Sequence, residues 1–214
     1  MMQKKQWPLL ALVLALLLGA KPHEGKDFCA EPISASVLRR MQGKSYPRGC
    51  PVRLSDLRYV RIRHYNAAGK DLEGELVCHK DIAADLVSIF RELYRARYPI
   101  ERVRLIDDYG ADDHRSMAAN NTSAFCYRRI AGSKRLSNHS QGRAVDINPL
   151  YNPMVSQNGR AVSPPEGRAY ANRSRSSAYK IVRGDLCYRL FRRHGFSWGG
   201  DWRSKKDYQH FEKN

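Results

Sequence analysis

Ser137-Asn138-His139-Ser140-Gln141-Gly142-Arg143-Ala144-Val145-Asp146, SNHSQGRAVD, places a histidine, a glycine and an aspartate close together, directly ahead of Ile147-Asn148-Pro149. Ala144 to Ile147 reads as a short strand whose Val145 and Ile147 face a core, which turns Asp146 to the opposite side. A glycine at 142 lets the preceding loop bend back, so that His139 reaches the same point as Asp146. A mononuclear catalytic zinc takes three protein ligands from His, Asp or Glu and keeps one position open for water. This stretch offers two of the three. By itself it reads equally as a polar loop running into a strand, with a surface histidine and a strand-end aspartate.

The C-terminal stretch supplies what is missing. Phe196-Ser197-Trp198-Gly199-Gly200-Asp201-Trp202 is followed by Asp207-Tyr208-Gln209-His210-Phe211-Glu212, a further histidine with a carboxylate three residues before it. A carboxylate near a metal ligand but not itself bound is the part a metal hydrolase needs as general base. Trp198 and Trp202, around a Gly-Gly bend, suit either a pocket wall or core packing.

Around these two stretches the chain reads as α+β. Tyr59 to Tyr65 alternates apolar Val60 and Ile62 with arginines, as a half-buried strand does, and the turn Asn66 to Lys70 leads back into Gly74 to Cys78, completing a hairpin. Ile82, Leu86, Ile89, Phe90 and Leu93 recur at helical spacing up to Tyr98-Pro99, where the proline stops the helix. Ile100 to Ile106 is expected as a strand, Asp107 to Asn121 as a polar loop, and Leu186 to His194 as a short helix closed by Gly195. The expected fold is a small antiparallel sheet packed on helices. No internal repeat or low-complexity tract interrupts it.

The 214 residues, 42% of them hydrophobic, can bury one good-sized core. Lys4 and Lys5 precede the apolar run Leu9 to Leu18, which ends at Gly19-Ala20, so residues 1–20 read as a secretory signal, too short for a bilayer-spanning anchor. Residues 21–55, rich in Pro, Gly and basic side chains, read as a loosely structured lead-in, and 56–214 as the folded domain. Export to a periplasm or extracellular envelope would let disulfides persist. Cys29, Cys50, Cys78, Cys126 and Cys187 are an odd set, expected to give at least one bridge and at least one free thiol. The formal charge of +17 becomes +15 without residues 1–20, from 36 basic and 21 acidic side chains. Such a surface favours polyanions. The basic residues are scattered rather than gathered on a reading helix, so envelope polymers are the expected partners and nucleic acid is not.

The two stretches together resemble a known family. Ser137-x-His139-x-x-Gly142-x-Ala144-x-Asp146 is similar to the SxHxxGxAxD motif of the M15-type zinc D-alanyl-D-alanine peptidases, which include D,D-carboxypeptidases, D-Ala-D-Ala dipeptidases and L-alanyl-D-glutamate endopeptidases. WGGDWRSKKDYQHFE looks like the second motif, (E/D)xxH, in its Asp form. Ser116 to Arg128 resembles the segment that carries an active-site arginine, and the likeness spans about residues 80–212. The resemblance implies a hedgehog-like D-Ala-D-Ala peptidase fold with its zinc site on the sheet. It implies one zinc per chain held by His139, Asp146 and His210, Asp207 as the base that activates the attacking water, and Arg128 as the oxyanion's stabiliser. Ser137 and Trp202 are expected to meet the substrate, with Ser137 equally suited to capping its own loop. The implied reaction is hydrolysis of a bond next to a D-amino acid in peptidoglycan stem peptides by a monomer. Two other readings stand beside it: a wall-binding module that keeps the zinc without turnover, and a thiol hydrolase pairing Cys126 with His139. Two departures bear on specificity. Asp207 is one methylene shorter than the dipeptidases' Glu, and Cys126 stands near Arg128 where a polar residue is expected.

Overall fold

The computed structural model describes residues 27–129 and 135–214. The secretory signal read over residues 1–20 lies outside them. Among the described residues no helix is long and apolar enough to cross a membrane.

The hairpin read from alternation forms as β2 (Leu57–Tyr65) and β3 (Asp71–His79), antiparallel, with Val60 opposite Leu76 and Arg58 opposite Cys78. A further strand, β1 (Cys29–Pro32), pairs with the free edge of β2. It is followed by α1 (Ala35–Met41), whose N-cap Ser34 accepts from the Val37 N–H and whose Val37 and Met41 are buried. Residues 27–55 are therefore part of the folded body rather than a loosely structured lead-in. The reason is physical: Val37 and Met41 complete a second apolar cluster with Leu57, Val77, Leu105 and Phe125 on one face of the hairpin.

The other face carries the main core. Helix α2 (Lys80–Arg95) follows β3 without a loop; His79 caps it by accepting from the Asp81 N–H at 3.2 Å, and Ile82, Leu86, Ile89, Phe90 and Leu93 are buried along one stripe. They pack with Val60, Ile62 and Leu76 of the hairpin, with Val145 and Ile147, and with Leu190, Phe191, Phe196 and Phe211 from the C-terminal part. Beyond α2 the expected strand over 100–106 shortens to β4 (Arg102–Val103), which pairs in parallel with β5 (Asn121–Thr122). The Asn121 side chain takes over the next ladder positions, accepting from Arg104 N–H and donating to Arg104 C=O, and the chain then turns into a 3₁₀ segment, Ile106–Tyr109. The expected polar loop over 107–121 also holds a helix, α3 (Asp113–Ala118), capped by the Asp112 carboxylate on Arg115 N–H.

Two small antiparallel sheets complete the fold. In one, β6 (Ala144–Asp146) and β9 (Ser197–Trp198) flank β11 (His210–Glu212); in the other, β8 (Val162–Ser163) and β10 (Lys206–Asp207) flank β7 (Met154–Val155). Between β8 and β9 in the chain come a single helical turn, α4 (Arg168–Ala171), and α5 (Leu186–Arg193), where Gly195 takes the left-handed φ of 84° just past the helix end. The architecture is α+β, with its antiparallel strands divided among three small sheets rather than one.

No disulfide joins any of the five cysteines. Cys78 and Cys187 are fully buried in the main core, where each acts as a small apolar filler and burial drives its thiol pKa far up. The expected bridge is not formed; the sulfurs of Cys78 and Cys187 are used for packing, while Cys29 and Cys50 lie partly exposed.

The α2 stripe is the largest single apolar contribution to the core. Replacing the fully buried Ile89 with Ala is expected to cost about 2–5 kcal/mol. Urea unfolding should show this as a lower midpoint at unchanged slope.

Candidate active site

The extended segment Ser123–Arg128 connects the hairpin to the histidine-bearing stretch. Phe125 N–H donates to Val77 C=O of β3, Cys126 N–H to His139 C=O, and Ser123 exchanges both backbone bonds with Asp146. Residues Asn138–Gln141 form a 3₁₀ turn, with the Ser137 hydroxyl accepting from His139 N–H at 3.3 Å. Gly142 ends the turn at φ 69°, its Cα pressed onto the β3–α2 junction. A Cβ there would lie 2.7 Å from His79 N, and the Gly142 carbonyl accepts from that same N–H. Glycine is thus required both for the left-handed backbone and for the close approach.

Asp146 and His210 face each other as register partners of β6 and β11. With His139 they form a buried cluster: His139 Nε2 lies 3.2 Å from His210 Nδ1 and 3.2 Å from Asp146 Oδ2, and His210 Nδ1 lies 3.1 Å from Asp146 Oδ1. The outer nitrogens decide what the inner ones can be. His139 Nδ1 is 2.6 Å from the Ala124 carbonyl and His210 Nε2 is 3.0 Å from the Glu212 carboxylate, both acceptors, so each outer nitrogen carries the proton. Each neutral ring then turns a lone pair inward, toward a carboxylate. Three acceptors converge with no donor among them, an arrangement that asks for a cation. Without one, a proton serves. Burial lowers the His210 pKa, but its bonds to Asp146 and Glu212 outweigh this and raise it to about 10. Burial likewise raises Asp146, and the two imidazoles more than reverse this, holding its carboxyl well below the usual range.

The donor set fits zinc. Bonds of about 2.0–2.2 Å at tetrahedral angles place neighbouring ligand atoms roughly 3.3–3.6 Å apart, close to the separations seen here. Two imidazoles and a carboxylate, each offering one atom within 4.8 Å of the others, are the ligand types this ion takes in hydrolases.

Asp207, on β10, completes the wall. Its Oδ1 is buried and has no hydrogen-bond partner among the described residues, and Lys205 Nζ stands 4.0 Å from Oδ2. Burial raises its pKa, His210 opposes the shift, and the Asp146 charge adds to it. A carboxylate moved toward neutrality is suited to exchanging a proton. Gly199 holds it in place: a Cβ at 199 would meet Asp207 O at 2.5 Å and Asp207 Cβ at 2.7 Å. Asp207 can occupy this position only because 199 has no side chain.

Arg128 lines the same cleft, a cavity of about 430 Å³. Its Nη2 is 2.8 Å from Asp113 Oδ2, its Nε is buried with no partner among the described residues, and its backbone N–H and C=O both bond the Ser140 hydroxyl. Trp202 also lines the cleft, half-buried, with its ring 5.3 Å from that of His210, whereas Trp198 belongs to the main core. His139, Asp146, His210, Asp207, Arg128, Ser137 and Trp202 thus border one cleft, whereas Trp198 and Cys126 do not. Asp113, Ser140, Asn138 and Glu212 were not singled out. Asp112-Asp113 before an apolar Met117 was a helix-cap signal that could have placed Asp113 on a helix, but nothing local showed that it would meet Arg128.

Cys126 offers no thiol chemistry. Burial pushes its pKa up to about 12, and both nitrogens of His139 are already engaged. A separate cavity of about 390 Å³ under the hairpin's outer face is lined by Arg40, Arg61, Arg63 and Arg104. Three of these are paired with carboxylates, Arg40 with Glu75, Arg61 with Glu31 and Arg63 with Asp71.

Residues 131–213 match a family model described as D-alanyl-D-alanine carboxypeptidase. Over this segment the chain is similar to that family, which supports the M15-type resemblance. The match takes in His139, Asp146, Asp207 and His210; it is narrower than the span over which the likeness was read and begins just after Arg128. At this level the M15 character is that of a peptidase. No curated protein and no solved structure matches the chain.

One divalent ion per chain is the expected load. A His139→Ala, His210→Ala double variant should lose it, as read by metal analysis of the purified proteins beside the unaltered chain.

Proposed function

We propose that the chain is an exported zinc metallopeptidase that cuts a peptide bond next to a D-amino acid in peptidoglycan stem peptides. The observation that carries this reading is the set of three inward-facing acceptors beside a buried carboxylate, Asp207, whose Oδ1 has no hydrogen-bond partner among the described residues. Zinc, when bound, supplies a Lewis acid that polarises the scissile carbonyl and makes water acidic enough to lose a proton near neutral pH.

The remaining steps belong to the chain's own side chains. Asp207 receives the proton of the attacking water as its oxygen adds to the carbonyl carbon, and returns it to the leaving nitrogen as the C–N bond breaks. Arg128, held by Asp113 through one nitrogen, keeps guanidinium donors for the oxygen on which negative charge develops. Trp202 supplies an apolar wall. Ser137, whose hydroxyl caps the His139 turn, touches substrate from the rim of the cleft.

The D,D-carboxypeptidase activity is favoured, in keeping with the description of the matched family. Its alternative is hydrolysis of the internal L-Ala-D-Glu bond, favoured by the Asp form of the second motif. A wall-binding module without turnover would have no use for an uncommitted buried carboxylate beside the metal ligands. Export to the periplasm or the outer envelope accords with the N-terminal apolar run, and the charge of +15 that remains would hold a monomer near an anionic wall, more weakly as salt rises.

Asp207→Ala is expected to lower turnover about 10²–10⁴-fold while metal content stays near that of the unaltered chain. Steady-state assays with parallel metal analysis check both halves; loss of metal as complete as in His210→Ala would make Asp207 a ligand.

Incubation with defined muropeptides, followed by mass analysis, decides the bond. Release of one alanine is the expected result. Release of the stem peptide would assign the endopeptidase, and equal cutting of all-L peptides would refute the cell-wall reading.

A further inference from the structure

Glu212 follows His210 by two residues on β11, so the two side chains leave the same face of the strand. Its Oε2 stands 3.0 Å from His210 Nε2, and the Asn138 side-chain amide donates to the same oxygen. The carboxylate is mostly buried, with 18% of its side chain exposed, yet no lysine or arginine pairs with it among the described residues. A half-buried glutamate ordinarily takes a cationic partner that offsets its desolvation. This one is held by an imidazole and an amide, so its placement is explained by what it does to His210.

Histidine can present either nitrogen, and the one that faces a metal is set by the hydrogen bond the other makes. His139 has a carbonyl for this, Ala124 O on its Nδ1. His210 uses the opposite nitrogen, and Glu212 is the acceptor on its Nε2. Asn138 precedes His139 on the 3₁₀ turn, so its bond to Glu212 joins the two histidine-bearing segments, which lie about seventy residues apart in the chain.

We propose that Asn138 and Glu212 form a positioning pair for the metal centre. Glu212 fixes the tautomer and ring plane of His210 so that Nδ1 faces the centre. Asn138 fixes Glu212, and with it the separation of the His139 turn from β11. The inference rests on His139, Asp146 and His210 being metal ligands.

The test measures zinc affinity of the full chain, stripped of metal, by competition with a chromogenic chelator. It compares the unaltered chain with Glu212→Ala, Glu212→Gln and Asn138→Ala, and thermal melts of the stripped forms report folding. Glu212→Ala is expected to weaken zinc binding about 10–100-fold, and Asn138→Ala about threefold or more. Glu212→Gln, which keeps an acceptor for Nε2, should recover most of the loss. The cobalt-substituted spectrum should change in Glu212→Ala and return toward that of the unaltered chain in Glu212→Gln. Zinc affinity within twofold of the unaltered chain in a folded Glu212→Ala overturns the proposal; if that variant does not fold, the same result in Asn138→Ala overturns it. Failure of the unaltered chain to bind zinc would instead refute the metal reading.

Discussion

The antiparallel pairing of Ala144–Asp146 with His210–Glu212 is the constraint on which the site depends. It sets Asp146 opposite His210, and the period of two along each strand then determines everything nearby: Val145 and Phe211 go to the core, while His210 and Glu212 share the other face. A slip of one residue would exchange these sets and bury the histidine in the phenylalanine cluster. Phe211 prevents that slip. It stacks on Phe191 of α5 with ring centroids 4.2 Å apart, so the helix that closes the core also fixes the register of the ligands.

Close backbone approach does the rest. Gly142 lets the His139 turn rest on the start of α2, and Gly199 lets a neighbouring turn press against Asp207. In both places a missing side chain positions a functional one. Asp207 is one methylene shorter than a glutamate, and its Cβ is already in contact across Gly199, so its carboxylate is held close to the backbone with little freedom of its own. The position of Asp207 is set by main-chain packing more than by side-chain bonds, in agreement with its Oδ1 having no partner among the described residues.

Much of this was legible in the sequence because it is local. The hairpin, α2 and α5 declare themselves by periodicity, and the short spacing of His139 to Asp146 and of Asp207 to His210 puts each pair on consecutive short elements. What was not legible depends on distant partners. Val37 and Met41 lie in a segment whose composition suggests a loose lead-in, and only the outer face of the hairpin, supplied later in the chain, gives them something to bury against. The strand expected over Ile100–Ile106 is cut short by the Asn121 side chain, some seventeen residues on. The cysteine count suggested bridges on the premise of export, whereas Cys78 and Cys187 spend their sulfurs as core volume. Glu212 reads as an ordinary strand-end charge until the turn bearing Asn138 is seen beside it.

The segment Ser123–Arg128 has a thermodynamic consequence. Its backbone bonds run from Val77 in the hairpin to His139 and Asp146 in the cluster, and the carbonyl of Ala124 orients His139. Opening the hairpin would therefore disturb two of the proposed ligands, and an ion that bound only the assembled set would resist that opening. By mass action, free metal at a hundred times its dissociation constant adds about 2.7 kcal/mol to the stability of the folded chain. That energy would be shared through Ser123–Arg128 with β3, away from the proposed ion. On the proposed metal reading, amide exchange in the hairpin would be coupled to occupancy of the site, although the hairpin itself supplies none of the proposed ligands.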